Sequence, residues 1–454
     1  MAKHTDPAVL FEDIFAKPVV ARFDSERRTS EAGISLLASL DRRLGLTASL
    51  ASCFEDRRHP GRVAHGTEEL LRQRVYSIAL GCPDTNDAAQ LSRDPALLLA
   101  CGRRTDGPDG LASQPTLSRF ERSVSGRELV AMERELERIV VERLHVRHSR
   151  ARRIFVDLDP TVDPTHGQQP FAYFNGHYDT WCYLPMLGFL SVEGEAEQHL
   201  FYARLRPGVA KEVRGTIPLL RRIVEQLRNT FSKAQICVRL DAGFAHPRLF
   251  EVLDELGVEY MVAMARNSNL STIADQHMSA AWSLTERFNQ TTTLFGDGLY
   301  RAGTWESTRR VVFKAEVVHA PGKAARCNDR YVVTNLSGSA KIIWKLYCMR
   351  GDSENRIKEL KVDLSIDRTS STRFLANQLR VLMTATAFVL FQQLRDLLRD
   401  TELRRAMVNT LRLRLLKIGA TITESVRRIV MSMPASFPWK DLWRRASTAI
   451  ASMA

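Results

Sequence analysis

Four residues in the second half of the chain have types and spacing that could serve chemistry on phosphates. Tyr347 is followed by Arg350, Glu354 and Lys361, with two, three and six residues between them. On a helix, Arg350, Glu354 and Lys361 share one stripe with Lys358. One carboxylate among cations suits a metal-binding group beside phosphates. An exposed helix with an ordinary Glu354–Lys358 ion pair has the same spacing, so the stretch alone leaves both interpretations open.

Carboxylates also stand at the ends of two predicted strands upstream. Apolar residues alternate over 154–158 and predict a strand that carries Asp157 and Asp159 on one face. The apolar run 236–240 predicts a second strand, which ends at Asp241. The order of strands and helices makes these two strands neighbours in a mixed sheet, so we expect their acids to meet at one edge.

Together with Glu354, the strand-end aspartates would form an oxygen-rich site suited to Mg²⁺. Two such ions would activate a water or a 3′-hydroxyl and stabilise the leaving oxygen in phosphoryl transfer. The alternative is that Asp157, Asp159 and Asp163 are solvated turn residues, because two prolines mark a loop there.

Charge is distributed unevenly along the 454 residues. The chain has 65 Lys and Arg against 52 Asp and Glu, a net charge of +13. Segments 201–250, 301–350 and 401–454 each contain ten basic and three acidic residues, so the remainder is net negative. Basic blocks of this kind favour a polyanionic partner, nucleic acid first and an anionic membrane surface second.

Cysteine usage and hydropathy place the chain among soluble intracellular proteins. The seven cysteines are scattered and form no CxxC pair, which argues against a disulfide framework and against a zinc finger. The first residues lack the apolar segment of a signal peptide. The most apolar run, 381–391, is too short to span a bilayer. We therefore expect a cytoplasmic protein without a membrane partner.

Patterning divides the chain into five regions. The first is helical, the second alternates strands and helices, the third is β-rich, the fourth returns to helix, and the last is basic and helical. Their bounds are 1–150, 151–265, 266–340, 341–400 and 401–454.

Local signals predict individual helices within these regions. Periodicity predicts helices over 30–50, 214–231 and 371–399. Ser125-Gly-Arg-Glu128 and Thr421-Ile-Thr-Glu424 have the spacing of capping boxes, and the second would open a basic helix at the C-terminus.

These motifs resemble those of bacterial insertion-sequence DDE transposases. The Tyr347, Arg350, Glu354, Lys361 spacing is similar to the Y-R-E-K signature of that group. Further stretches resemble the insertion sequence thirteen-eighty family: Asp157-Leu-Asp-Pro-Thr-Val-Asp-Pro-Thr-His-Gly-Gln-Gln169, Phe174-Asn-Gly-His-Tyr178, Leu205-Arg-Pro-Gly208, Arg239-Leu-Asp-Ala-Gly-Phe244, Asn355-Arg-Ile-Lys-Glu359 and Lys417-Ile-Gly-Ala420. The likeness extends over most of the chain.

The resemblance implies an α/β fold with a ribonuclease H-like core, interrupted by the β-rich insertion and flanked by helical terminal regions. It implies a catalytic triad of Asp159, Asp241 and Glu354 that binds two Mg²⁺ ions, with Mn²⁺ as a substitute. Asp159 fits the family's Asp-x-Thr pattern, and Asp157, on the same face, is the alternative first acid.

The resemblance also implies how DNA is held. Arg350 and Lys361 would contact phosphates near the scissile bond, and Tyr347 would hydrogen-bond the backbone or stack. In relatives an aromatic of the β-rich insertion stacks on a base flipped out near the cleaved end, and Trp305, which lies between arginines, is the candidate. A buried strand tryptophan is the alternative for that residue.

The implied function is a transposase that binds the terminal inverted repeats of its element, cleaves double-stranded DNA at the ends and joins the 3′-hydroxyls to target DNA, as a homodimer bridging two ends. Two alternatives stay open. One is a ribonuclease H-like nuclease without strand transfer, and the other is an inactive DNA-binding descendant of a transposase.

Overall fold

The computed structural model describes residues 27–211, 213 and 215–453, together with residue 17 and the backbone of two short strands, Val9–Phe11 and Val19–Ala21. The chain divides into two compact units. One consists of Arg122–Val389, and the other consists of Met1–Glu121 with Leu390–Ala454. Arg214, the predicted first residue of one helix, lies outside the described residues, as do residues 1–8 of the predicted helical N-terminal region.

An eight-stranded mixed sheet organises the unit Arg122–Val389. Numbered along the chain, its strands stand in the order β6-β7-β8-β5-β4-β1-β2-β3. The strands are β1 Arg153–Pro160, β2 Met186–Val192, β3 His199–Arg204, β4 Gln235–Leu240, β5 Glu259–Met264, β6 Thr292–Tyr300, β7 Arg309–Val318 and β8 Arg326–Thr334.

The pairing of β1 with β4 fixes the position of two acids. These strands are parallel, and Arg239 of β4 pairs with Asp157 of β1. Asp241 and Asp159 each lie two residues further along the chain than the members of this pair. The register therefore brings them to the same edge of the sheet. The predicted convergence of the strand-end acids rests on this register, because parallel strands end at one edge. β2 and β3 complete an antiparallel meander on the other side of β1.

Helices accompany this sheet. In Thr216–Thr230, Leu219, Ile223 and Leu227 are buried at helical spacing, and each contributes about 1.5–3 kcal/mol by leaving water. Ser125 and Glu128 form the predicted capping box at the start of a 23-residue helix. The helices of this unit are Gly126–His148, Thr216–Thr230, Pro247–Glu255, Ser268–Phe288, Ala340–Cys348 and Asp352–Lys358, and Phe374–Leu397 continues past Val389.

The predicted β-rich insertion supplies β6, β7 and β8, which extend the main sheet through the antiparallel β5–β8 pair. It also contains the helix Ser268–Phe288, which the sequence did not predict. Asn267 caps this helix by accepting from the Leu270 amide at 3.0 Å. Only a narrow stripe of it is buried, so its apolar periodicity is weak: Leu270, Ala274, Ala281, Thr285.

Helices also make up most of the described part of the second unit, which joins residues from both ends of the chain. Gly45 adopts a left-handed conformation, with φ of 63°, and splits the helix predicted over 30–50 into two. The helices of the second unit are Ile34–Leu44, Leu46–Ala51, Thr67–Ala79, Ala88–Leu91, Pro95–Ala100, Gln114–Ser123, Val408–Leu411 and Lys440–Ala451.

The capping box predicted at Thr421 is wrong. Ala420–Glu424 is a strand that pairs with Ile429–Ser432 and Arg28–Thr29. The stretch is rich in β-branched residues, which favour a pleated surface, and Ile422 buries its side chain there. The basic C-terminal helix begins only at Lys440.

One helix in the described part of the chain, Phe374–Leu397, is long and apolar enough to cross a membrane by composition. However, 83% of its most apolar window is buried within the protein. Apolar side chains all around a helix also indicate a core position, and this helix has that character.

Candidate active site

Asp159 stands at the carboxyl end of β1 and is largely buried. Its Oδ1 lies 3.1 Å from Arg350 Nη2, and the Ser353 hydroxyl donates to its Oδ2 at 3.4 Å. Burial raises the pKa of Asp159 to about 6, against the opposing effect of Arg350. The charges of Asp241 and Glu354 push the same pKa upward. Asp159 is therefore a desolvated carboxyl that contacts Arg350 and Ser353 directly and feels the charges of Asp241 and Glu354.

Asp241 follows β4 directly and begins a short turn. Its Oδ1 accepts a hydrogen bond from the Gly243 amide at 2.8 Å. Its Oδ2 lies 3.7 Å from the same Arg350 Nη2 that contacts Asp159. One guanidinium nitrogen therefore serves both strand-end aspartates.

Glu354 approaches this pair from the helix Asp352–Lys358. The residue before it, Ser353, is fully buried and joins the helix to Asp159. Glu354 itself is exposed, and its charge contributes to the raised pKa of Asp159. The three predicted acids thus belong to one electrostatic site, in which the two aspartates share a direct partner.

The stretch that carries Glu354 is segmented. Tyr347 lies in the helix Ala340–Cys348, Arg350 in a 3₁₀ turn, Glu354 in a short α-helix, and Lys361 in the π-helical turn Glu359–Asp363. The single stripe expected of a continuous helix is therefore only an approximation. Turns of these two kinds often mark functional positions in helices.

Tyr347 and Lys361 both contact backbone close to the strand-end acids. The Tyr347 hydroxyl donates to the Leu240 carbonyl, directly before Asp241, at 3.3 Å. Lys361 Nζ donates to the Val162 carbonyl, three residues after Asp159, at 2.6 Å. Burial raises the pKa of Tyr347 to about 12 and lowers the pKa of Lys361.

A comparison with protein families decides what class of protein carries this site. The family model described as transposase DDE domain group 1 matches residues 11–454, nearly the whole chain. The chain belongs to this DDE transposase family. No curated protein matches it. The family shows that the protein is a transposase, an enzyme whose partner is DNA, and the predicted mixed α/β class is confirmed.

In this transposase Asp157, the alternative first acid, is engaged elsewhere. Arg239 Nε and Nη2 donate to its two carboxylate oxygens at 2.7 and 2.6 Å. Arg239 also donates to the Leu346 carbonyl and lies over the Phe155 ring, 4.2 Å from its centroid. Both oxygens of Asp157 are thus committed to a buried ion pair, which favours Asp159 as the first acid.

Trp305 does not fit the predicted role of stacking on a DNA base. The side chain is buried, and its ring packs edge-on against Phe250 at 4.9 Å and Tyr300 at 5.3 Å. A ring enclosed in this way offers no face to a base, so we assign Trp305 to the core of the transposase.

Asp163 is not the solvated turn residue that the two prolines suggested. It is fully buried, and the Thr369 hydroxyl donates to its Oδ2 at 2.8 Å. Burial raises its pKa to about 8. Asp163 is therefore mainly neutral near pH 7 and fastens the loop after β1 to the segment that follows Lys361.

DDE transposases generally use divalent cations. The chemistry and grouping of the three acids show whether these acids suit such an ion. All three donors are carboxylate oxygens, the ligands that Mg²⁺ and Mn²⁺ prefer. Asp159 and Asp241 already share a cation, the Arg350 guanidinium. Within the described residues, no three Asp, Glu, His or Cys side chains are grouped closely enough to hold a metal ion. The donor chemistry fits, and in this arrangement the arginine is the cation that the two aspartates share.

Sequence reasoning missed Ser353 and Arg239. Ser353 bonds Asp159 and also donates to the Arg350 carbonyl at 2.8 Å, so it fixes the turn that presents Arg350. The position of Ser353, directly before Glu354 in the sequence, was a signal that could have identified it. The pairing of Arg239 with Asp157 spans 82 residues of sequence and had no local signal.

Proposed function

We propose that this transposase cleaves DNA at the ends of its insertion sequence and joins the 3′-hydroxyls to target DNA, with Asp159, Asp241 and Glu354 as the metal-binding acids. The observation that carries the proposal is the sharing of Arg350 by two strand-end aspartates, with Glu354 close enough to raise the pKa of Asp159. Strand order β5-β4-β1-β2-β3 supports a ribonuclease H-like core, to which β6–β8 are added.

Divalent ions bound by the acids would activate the attacking hydroxyl and stabilise the leaving oxygen. The protein's own part would be to hold the three carboxylates near one end of the sheet. The β1–β4 register positions Asp159 and Asp241, and Ser353 ties the helix of Glu354 to Asp159.

Arg350 is proposed to contact a phosphate beside the scissile bond. Its Nε is buried, and among the described residues it has no hydrogen-bond partner. An unpaired buried donor is costly, so a phosphate oxygen that accepts from this guanidinium would relieve that cost. Lys361 and Tyr347, which hold the backbone after β1 and before Asp241, are proposed to steady the acids and to meet the adjacent DNA backbone.

The finer assignment rests on the resemblance of the motifs. We propose that the Tyr347, Arg350, Glu354, Lys361 set acts as a Y-R-E-K signature, that the protein is close to the insertion sequence thirteen-eighty family, and that it acts in the cytoplasm. Binding of terminal inverted repeats by a homodimer that bridges two ends belongs to the same proposal.

Cleavage of the DNA that flanks the gene tests the proposal. The purified protein is incubated with that DNA in Mg²⁺ or Mn²⁺, and nicks at the element ends are mapped. We expect Glu354→Gln to lower the cleavage rate by about 10²- to 10³-fold or more, the size of loss seen when one preorganised electrostatic group is removed.

Asp352→Asn is the matched control, because Asp352 is an exposed acid on the same helix as Glu354. It should cleave at nearly the wild-type rate. Equal cleavage by wild type and Glu354→Gln would refute the role given to Glu354. Cleavage without joining to a second DNA would instead indicate a nuclease without strand transfer.

A further inference from the structure

A short hairpin after β1 exposes an unusual concentration of aromatic rings. Among the described residues seven aromatic side chains are exposed, and five of them lie within eleven residues of this hairpin. They are Phe171, Tyr173, Phe174, Tyr178 and Trp181. We call residues 171–183 the aromatic hairpin. Exposed aromatics in one patch usually mark a binding surface.

Two of these rings lie next to each other on one face of the hairpin. Phe174 and Trp181 are direct partners across the antiparallel strands, so their side chains lie on the same face. They are 49% and 57% exposed, with ring centroids 6.4 Å apart. Each ring therefore keeps a large part of its surface in contact with water.

The aromatic hairpin is held firmly in spite of its exposure. Asn175 Nδ2 donates to the Gly208 carbonyl at 2.9 Å, and the Gly208 amide donates to the Phe171 carbonyl at 3.3 Å. A Cβ on Gly208 would lie 2.2 Å from the Cys182 carbonyl oxygen, so only glycine permits this approach. These contacts fix the hairpin while Phe174 and Trp181 stay about half exposed, which is the preorganisation expected of a binding surface.

The same hairpin is joined to the candidate active site. Its second strand pairs with Asp163 and Pro164, which follow Asp159 by only a few residues. Gln169, in the loop that leads to it, donates to the Thr369 carbonyl at 2.6 Å. The surface is thus connected to the strand of the first acid and to the segment that follows the third acid.

The segment that packs against Phe171 is basic. Phe171 packs edge-on against Phe374 at 5.2 Å, and Arg373 beside it is exposed. The segment 365–380 has a net charge of +2, from three arginines and one aspartate. Exposed rings beside a basic segment are the combination that binds single-stranded nucleic acid, since bases stack while phosphates meet cations.

We propose that the aromatic hairpin binds unpaired DNA bases next to the cleavage site, with Phe174 and Trp181 as the stacking surface. The proposal rests on the proposed function in taking the acids beside β1 as the cleavage site, whereas DNA as the ligand follows from the family. The adjoining positive charge favours a nucleic acid strand over a second copy of this basic chain, which would meet it with like charge.

Fluorescence anisotropy with the full-length protein tests the proposal. The probes are a blunt duplex and the same duplex with a short oligothymidine tail, both in a chelator so that nothing is cut. We expect the wild type to bind the tailed probe more tightly. The double variant Phe174→Ala/Trp181→Ala should lose about tenfold in affinity for the tailed probe, while its affinity for the blunt duplex is unchanged.

Two controls separate stacking from general damage. Phe288→Ala removes an aromatic of similar exposure elsewhere, at 54%, and should behave as wild type. Trp181→Phe keeps a ring and should retain most of the preference for the tail. Loss of a dimer in sedimentation by the double variant, with the tail preference intact, would mean that the hairpin joins two copies and would overturn the proposal.

Absence of a tail preference in the wild type would also overturn it. This outcome is distinguishable from failure of the proposed function. If end cleavage fails but the tail preference is present, the stacking surface stands; if cleavage succeeds without the preference, only the stacking proposal fails.

Discussion

Strand β1 carries two aspartates that each meet an arginine, but the two pairs are built differently. Asp157 and Arg239 are both 1% exposed and are joined by two short parallel hydrogen bonds. Asp159 meets Arg350 through one nitrogen at 3.1 Å and shares that nitrogen with Asp241. The Asp157–Arg239 pair is therefore closed to solvent. In the second pair, Arg350 is shared with Asp241 and the site is partly open to solvent.

The difference is the one expected between a structural ion pair and a functional one. In the closed pair both carboxylate oxygens have strong donors and both side chains are buried, so the carboxylate is inaccessible to an external ligand. In the open cluster two carboxylates share one guanidinium, and the more buried of them has a raised pKa. Perturbed carboxyls of this kind concentrate at functional sites, where an additional cation or a substrate completes the charge balance.

The largest stability effect is expected from opening the closed pair. Asp157→Asn would leave the Arg239 guanidinium buried without its counter-charge, which typically destabilises a protein by about 3–5 kcal/mol. Urea unfolding followed by circular dichroism would measure the change in the free energy of unfolding. A change below about 1 kcal/mol would mean that the pair contributes no more than a surface ion pair.

Asp159→Asn should have the opposite effect on stability, because it removes a carboxyl whose ionisation opposes folding. The folded pKa of about 6 exceeds the unfolded value of about 3.9, so this group stabilises the protein at low pH and loses that contribution as pH rises through 6. Relative to the variant, the wild type should lose on the order of 2 kcal/mol between about pH 4 and 7.

Unfolding free energies of wild type and Asp159→Asn across that pH range would measure this difference, and Asp352→Asn serves as the control with an exposed acid. Parallel pH profiles for wild type and Asp159→Asn would contradict the burial of Asp159. Cleavage activity should be lost in Asp159→Asn at every pH.

Tyr347→Phe should give the smallest effect. It removes one hydrogen bond to the Leu240 carbonyl and leaves the ring in place, at a cost of about 0.5–1.5 kcal/mol in stability. Thermal unfolding would measure the loss. A much larger fall in cleavage than in stability would show that the hydroxyl also touches DNA.

The sequence predicted most of what positions the site. The alternation around Asp159 and the apolar run before Asp241 predicted two strands whose ends meet, because period-2 patterning and strand ends are local signals. The spacing of Tyr347 to Lys361, taken with the resemblance, predicted Glu354 as the third acid, and this assignment stays a prediction.

What the sequence did not predict depends on distant contacts. Trp305 lies in a loop among arginines in sequence but packs against Phe250 of the helix Pro247–Glu255. The choice between Asp157 and Asp159 depends on which one meets Arg239. The stretch that begins at Thr421 has the spacing of a capping box but forms a strand. Its β-branched residues and the strands that pair with it decide its structure.

The sharing of Arg350 has a consequence for the order in which ligands arrive. With Asp159 and Asp241 both ionised, two negative charges would face one guanidinium, so this part of the surface would repel a phosphodiester until further cations entered. In the proposed mechanism, positive charge therefore accumulates at the acids before the DNA backbone settles there. That mechanism requires DNA to be held by surfaces away from the acids when divalent cations are absent, so recognition and cutting would be separable events.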